Sequence, residues 1–109
     1  MALKANLNID QGTDFSATID LVDVNDNPYD LTGYSINGQI RKSYASTIAY
    51  DFTITHNGDL GKIFLTLSRT ITGAMEPGRY LYDIEITSTT DKVTRVVEGI
   101  VTVTPGITR

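Results

Sequence analysis

Four places in this 109-residue chain carry residues whose type and spacing suit chemistry. Asp23-Val24-Asn25-Asp26-Asn27-Pro28 sets carboxylates and amide carbonyls close together, a set that suits a hard cation taking 6–8 oxygen ligands. The same run reads equally as a turn held by local Asn and Asp side-chain bonds, which requires less of it. His56 is the one histidine. A catalytic base needs a nucleophile and an orienting partner, and His56 stands before Asn57-Gly58, a hairpin signal, so it is expected exposed at a turn. Asp83 and Glu85 alternate on one face of a strand, the pattern of solvation rather than of paired acid and base. Arg41-Lys42-Ser43-Tyr44 joins two cations to an aromatic ring. A nucleic-acid site needs a broader basic surface, so this is expected to be a strand end at an interface rim.

The elements that position these residues read as strands. Apolar residues recur with period two almost throughout, the signature of half-buried β-structure. Leu3 to Ile9 forms a first run, and Phe15, Ala17, Ile19 and Leu21 a second. Ile36, Gly38 and Ile40 follow, then Ile48, Tyr50, Phe52 and Ile54, the clearest alternation of all. Ile63, Leu65 and Leu67 precede a short bridge, Arg69 to Met75, with room for one helical turn and with Ile71 or Met75 as a plug. Tyr80, Tyr82, Ile84 and Ile86 share the next face. In Val93 to Val103 two parities compete, and a bulge at Glu98-Gly99 would reconcile them. Turn residues separate the runs every 8–12 residues, the spacing of a sandwich or barrel. The pattern places Phe15, Ile19, Ile40, Phe52, Leu65, Tyr82 and Ile84 in the core.

A strand, a crossing loop, Pro77-Gly78 and a strand opening on Tyr80 match one end of an immunoglobulin-like sandwich. There a tyrosine hydroxyl bonds back to the loop before it. The expectation is therefore an all-β, Ig-like antiparallel β-sandwich of seven or eight strands, with at most one short helical turn, in a single domain spanning 1–109. A chain of this size buries roughly two-thirds of its unfolded surface. The chain has no cysteine, which removes disulfides and thiolate metal sites and fits synthesis in a reducing compartment. Met1 to Asn6 has no apolar signal-peptide run. No stretch approaches the roughly 20 apolar residues of a membrane span. Neither membrane nor nucleic acid is an expected partner, the latter because the net charge is −4.

That charge is uneven. Lys and Arg are missing between Ala5 and Ile40, where six aspartates stand: Asp10, Asp14, Asp20, Asp23, Asp26 and Asp30. The pattern shows no folding role for them, so this acidic third is one candidate surface. The polar C-terminal tail, Thr104 to Arg109, is the other. Tyr29 and Tyr44, loop residues among six tyrosines, add interface-type side chains. The candidate interface is thus Asp10, Asp14, Asp23, Asp26, Tyr29, Arg41, Lys42, Tyr44, Ile107 and Arg109, with no catalytic, cofactor or metal residue.

Two resemblances bear on function. Asp23 to Pro28 is similar to the calcium-linker motif of cadherins, although the chain has no Leu-Asp-Arg-Glu or Asp-Ala-Asp element to complete such a site. Calcium-dependent adhesion is therefore a lesser alternative. Over essentially the whole chain, the sequence resembles small tail-associated virion proteins of tailed bacteriophages, above all those of cyanobacterial myoviruses. The resemblance rests on Ile9-Asp10-Gln11-Gly12-Thr13-Asp14-Phe15, Asp30-Leu31-Thr32-Gly33-Tyr34 and Gln39-Ile40-Arg41-Lys42-Ser43. It continues in Gly78-Arg79-Tyr80-Leu81-Tyr82-Asp83-Ile84-Glu85, Thr94 to Gly99, and Val103 to Arg109. Some relatives resemble the Ig-like N-terminal domain of baseplate upper proteins. The resemblance implies a non-enzymatic structural protein of the virion, made in the host cytoplasm, contacting other virion proteins at tail or baseplate. Capsid decoration is the alternative, and self-association within the particle is open.

Overall fold

A computed structural model describes residues 3–23, 25–57 and 61–107. In chain order the strands are β1 (Leu3–Lys4), β2 (Leu7–Asp10), β3 (Phe15–Asp20), β4 (Ser35–Arg41), β5 (Ala49–Asp51), β6 (Thr53–Asn57) and β7 (Lys62–Leu67). Helix α1 (Arg69–Ala74) then leads to β8 (Gly78–Thr87) and β9 (Val93–Thr104). One sheet has the order β1-β9-β8-β4-β5, with β2 also on β9, and the other is β3-β7-β6. This is the expected all-β, Ig-like sandwich.

Its core is the set of inward parities facing each other between the sheets. Ile40, Ile63, Leu65, Ile84, Val97 and Val101 are fully buried there. Of the seven core residues expected from alternation, six are buried, while Phe15 is half-buried at the start of β3. Two further apolar residues fill the ends. Met75 plugs one beside α1, and Leu31 plugs the other from the loop after β3.

Three details differ from the sequence reading. Nine strands stand among the described residues where seven or eight were expected, because two runs are cut. Leu3 to Ile9 breaks at Ala5-Asn6 without losing register, since Leu3 faces Val97 and Leu7 faces Val101. The break is made by side chains: Asn6 Oδ1 accepts from Ile100 N at 3.1 Å and Ala5 O from the Tyr82 hydroxyl at 2.6 Å. The Ile48 to Ile54 run breaks at Phe52, where the chain passes from one sheet to the other. Phe52 N donates to Gly38 O at 3.1 Å while its ring stays buried. Ile48 itself lies outside the core.

The sheet is also not wholly antiparallel, since β1 and β2 run parallel to β9. The bulge lies at Val96, between the pairs Ile84↔Val97 and Glu85↔Arg95, and not at Glu98-Gly99. Gly99 serves another purpose: a Cβ there would collide with the Ala5 carbonyl, so glycine lets β9 and the first strand approach.

Helix α1 is held at its start by two side chains. Ser68, the N-cap, accepts from Ile71 N at 3.4 Å, and Asp14 Oδ1 accepts from Arg69 N at 2.9 Å. The buried Thr72 hydroxyl donates to Thr13 O at 2.7 Å. At the foot of β8 the Tyr80 hydroxyl donates to Glu76 O at 2.7 Å, the tyrosine corner expected from sequence.

Candidate interaction surfaces

Strand direction sorts the candidate residues into two groups. The starts of β3 and β8 and the ends of β2, β4, β7 and β9 meet at one end of the sandwich, with α1. Asp10, Asp14, Arg41, Lys42, Tyr44 and Ile107 belong to this end. Asp23, Asp26 and Tyr29 belong to the opposite end, in the loop between β3 and β4. Arg109 lies outside the described residues. The acidic third is therefore not one surface.

Its aspartates also have folding roles, which corrects the expectation that they had none. Asp10 Oδ1 accepts from the Thr104 hydroxyl at 2.8 Å, tying β2 to β9. Asp14 caps α1, as above. Asp20 pairs with Lys62 across β3 and β7 at 2.8 Å. Asp23 Oδ1 accepts from the backbone N–H of Asn25 at 2.8 Å and of Asn27 at 3.1 Å. Asp26 takes a φ of 62°, a left-handed position that Asp tolerates better than most residues. Asp30 Oδ1 accepts from Thr32 N at 3.0 Å, and hydrogen bonding from Thr32 holds its carboxyl below the usual range. Six bonds, three between strands or to the helix and three within turns, and one special backbone angle thus account for six charges. Asp23, Asn25, Asp26 and Asn27 form the expected turn through their own Asx bonds, closed by Asp23 N donating to Asn27 O at 2.8 Å. Among the described residues no group of three or more His, Asp or Glu is placed to hold a metal ion.

Tyr29 corrects a second expectation. Its ring is half-buried, packing edge-on to Tyr34 with centroids 6.2 Å apart, rather than facing outward. Hydrogen bonding with Tyr34, with burial second, raises its phenol above the ordinary value. Arg41 is partly occupied: its guanidinium donates to Ser46 O and to Gln39 Oε1. Lys42 sits with its ammonium 4.6 Å from the centre of the Tyr80 ring, a cation–π contact that closes over the tyrosine corner. Ser46 holds the same loop through its hydroxyl, which accepts from Ile48 N at 3.2 Å, while the large side chains of the loop point into solvent. Tyr44 is 82% exposed and Ile48 66%, and Ile107 beyond β9 is 96% exposed. His56 is exposed on β6, as expected, while Gly58 and Asp59 of its hairpin signal lie outside the described residues.

Sequence reasoning missed one surface, the outer face of the larger sheet. Cross-strand register aligns Gln39, Asp83, Glu98 and Lys4 in one row across four strands. The next row toward the α1 end is Arg41, Leu81 and Ile100. Asp83 directly faces Glu98, a like-charge pair that destabilises a sheet unless neutralised. Arg95 neutralises it, donating to Asp83 at 3.1 Å and to Glu98 at 3.2 Å, and the Asp83 charge raises the guanidinium pKa further. Arg95 shares inward parity with Val97 in the sequence, and the Val96 bulge is what turns it outward. Above these rows lies an open hollow of about 520 Å³, with Tyr44 at its rim.

No family model and no curated protein matches the chain. Solved structures do. An internalin-like protein of Listeria monocytogenes, lmo2027, is similar with 19% identity and a TM-score of 0.52, over 94% of this chain and 28% of that one. A family 123 glycoside hydrolase from Clostridium perfringens is similar with 14% identity and a TM-score of 0.45, over 97% of this chain and 23% of that one. The likeness to the Listeria protein is one of fold. This chain spans about a quarter of the length of these two solved proteins.

Proposed function

We propose that this domain is a non-enzymatic structural component of a tailed-phage virion, an adaptor or attachment module at the tail or baseplate. It is made in the host cytoplasm and works through contacts with other virion proteins. The sequence resemblance along the whole chain supports the virion assignment. The observation that carries the binding role is the gathering of Tyr44, Ile48 and Ile107, the three most exposed large apolar side chains among the described residues, at the α1 end. Large exposed apolar groups framed by charges such as Lys42 and Asp14 have the composition of a contact patch.

In this reading the sheets supply a rigid frame. The Lys42–Ile48 loop and the tail engage the neighbour, with no chemistry at either. Antibody labelling and a cryo-EM map of purified particles test it. Density at the tail or baseplate is the expected result. Density on the capsid surface replaces the adaptor with a decoration protein. Absence from purified particles overturns the virion assignment altogether.

A further inference from the structure

We infer that the outer face of the larger sheet is a binding site for a neutral oligosaccharide. The inference does not depend on the virion reading. The hollow of about 520 Å³ falls within the size range of small-molecule sites. Its floor is the apolar pair Leu81 and Ile100, adjacent across β8 and β9. Its rim carries Tyr44, whose ring has no aromatic partner and whose loop position leaves it 82% exposed. A pyranose ring presents both parts of what such a place recognises: C–H faces that rest on aromatic or aliphatic surface, and a girdle of hydroxyls.

The hydroxyl-binding part is the polar row beside that floor. Gln39, Asp83 and Glu98 are planar side chains able to pair with adjacent hydroxyls through two atoms at once. They stand on neighbouring strands, each about 4.8 Å from the next, a spacing comparable to one sugar unit. They are also held in place before any ligand arrives. Gln39 donates to Asp51 at 2.7 Å and accepts from Arg41 at 2.9 Å, while Arg95 clamps Asp83 and Glu98. A row fixed on strands is better organised for recognition than one on loops.

Two features favour a sugar over a peptide or an anion. The charges around the hollow balance, with Lys4, Arg41 and Arg95 against Asp83, Glu85 and Glu98, three of each sign. Both arginines already donate to internal acceptors, Arg41 to Ser46 O and Gln39 Oε1 and Arg95 to Asp83 and Glu98. This leaves Lys4, at the edge of the row, as the cation without such a bond among the described residues, and suits a ligand that is polar and uncharged. Protein interface cores are depleted in Lys, Glu and Asp, the residues that are dense here.

The full chain, probed on an array of neutral and acidic oligosaccharides, tests this, followed by titration of the best neutral binder into isotope-labelled protein. The expected result is binding of a neutral oligosaccharide, with amide shifts centred on Gln39, Leu81, Asp83, Glu98 and Ile100. Tyr44→Ala and Gln39→Leu, both at exposed positions, should keep the wild-type melting temperature and each weaken binding about tenfold. Silence across the neutral sugars overturns the inference. So does binding confined to acidic sugars, shifts elsewhere on the domain, undiminished affinity in both variants, or selection of peptides on this face by a displayed library while sugars stay silent. None of these outcomes alters where the protein sits in a particle.

Discussion

Tyr80 and Tyr82 point to the same side of β8, yet their hydroxyls do different work. Tyr80 reaches four residues back to the Glu76 carbonyl, on an exposed residue to which water also has access. Tyr82 reaches over Gly99 of β9, within the same sheet, to Ala5 at the break between β1 and β2. Removing a hydroxyl costs about 1 kcal/mol when the orphaned acceptor can be solvated and up to about 3 kcal/mol when it cannot. Tyr82→Phe is therefore expected to lower the denaturation midpoint more than Tyr80→Phe. The reverse order in urea melts would remove this account. The same burial makes Tyr82 a pH-sensitive group, its phenol pushed up to about 12 from 10.0. Below pH 10 the phenol is neutral in both folded and unfolded chains. Between 10 and 12 the unfolded chain loses the proton and the folded chain keeps it, so stability falls as pH rises through that window. Tyr80, also raised by burial first and by Tyr50 and Glu76 next, adds to the slope. Urea melts from about pH 9 to about pH 11.5 should show a steep decline, shallower in Tyr82→Phe. An unchanged slope in that variant would place the alkaline sensitivity elsewhere.

At the scale of elements, alternation made most strands legible. Ile63, Leu65 and Leu67 or Tyr80 to Ile86 have one buried face and a regular partner, so parity alone orients them. What stayed hidden has a common cause: parity does not say which sheet a strand joins or in which direction its neighbour runs. Tyr50 and Ile54 both lean on the core although they belong to different sheets, because both sheets face the same core. The switch at Phe52 therefore leaves no trace in the pattern. The parallel pairing of β2 with β9 is equally silent. The two parities of β9 did announce a bulge, but glycine pointed to the wrong place, because Gly99 answers to Ala5 rather than to the bulge. A methyl group at Gly99 would collide with the Ala5 carbonyl and sit 3.0 Å from the Tyr82 ring. Gly99→Ala should thus cost about 1–3 kcal/mol, in the range of overpacked positions. Gly73 in α1 is the contrasting site, its nearest neighbour an ordinary 3.7 Å away. Gly73→Ala should be neutral or stabilise by up to about 1 kcal/mol, through helix propensity. Equal effects of the two substitutions on thermal unfolding would show that the close approach of β9 to the first strand is not what fixes Gly99.

For the whole molecule, the distribution of bonds separates residues that build the domain from residues free to bind. The six aspartates of the first third looked like surplus charge, but what they hold, a turn, a cap or a strand pair, is set by contacts that charge counting does not reveal. The tail is the opposite case. Strand β9 ends at Thr104, and Gln11 N, donating to Thr104 O at 2.9 Å, secures that end. Beyond it a single bond at 3.5 Å, from Gly106 N to Gln11 Oε1, is the contact holding the described part of the tail, and Ile107 stands in solvent. Segments that contribute little to folding tolerate change and are free to bind. Deleting Pro105 to Arg109 is expected to leave the melting temperature within a few degrees of wild type, since surface changes away from caps and cores stay within about 0.5 kcal/mol. The same deletion should reduce incorporation into particles when the truncated and full chains compete during assembly. Tyr44→Ala, at the same end but on another loop, should reduce it independently. Unfolding of the truncated domain would move the edge of the core past Thr104. A folded truncation that incorporates as well as the full chain would take the tail out of the contact and leave the Lys42–Ile48 loop to carry it, and equal incorporation of the Tyr44→Ala protein as well would remove this end of the sandwich from assembly.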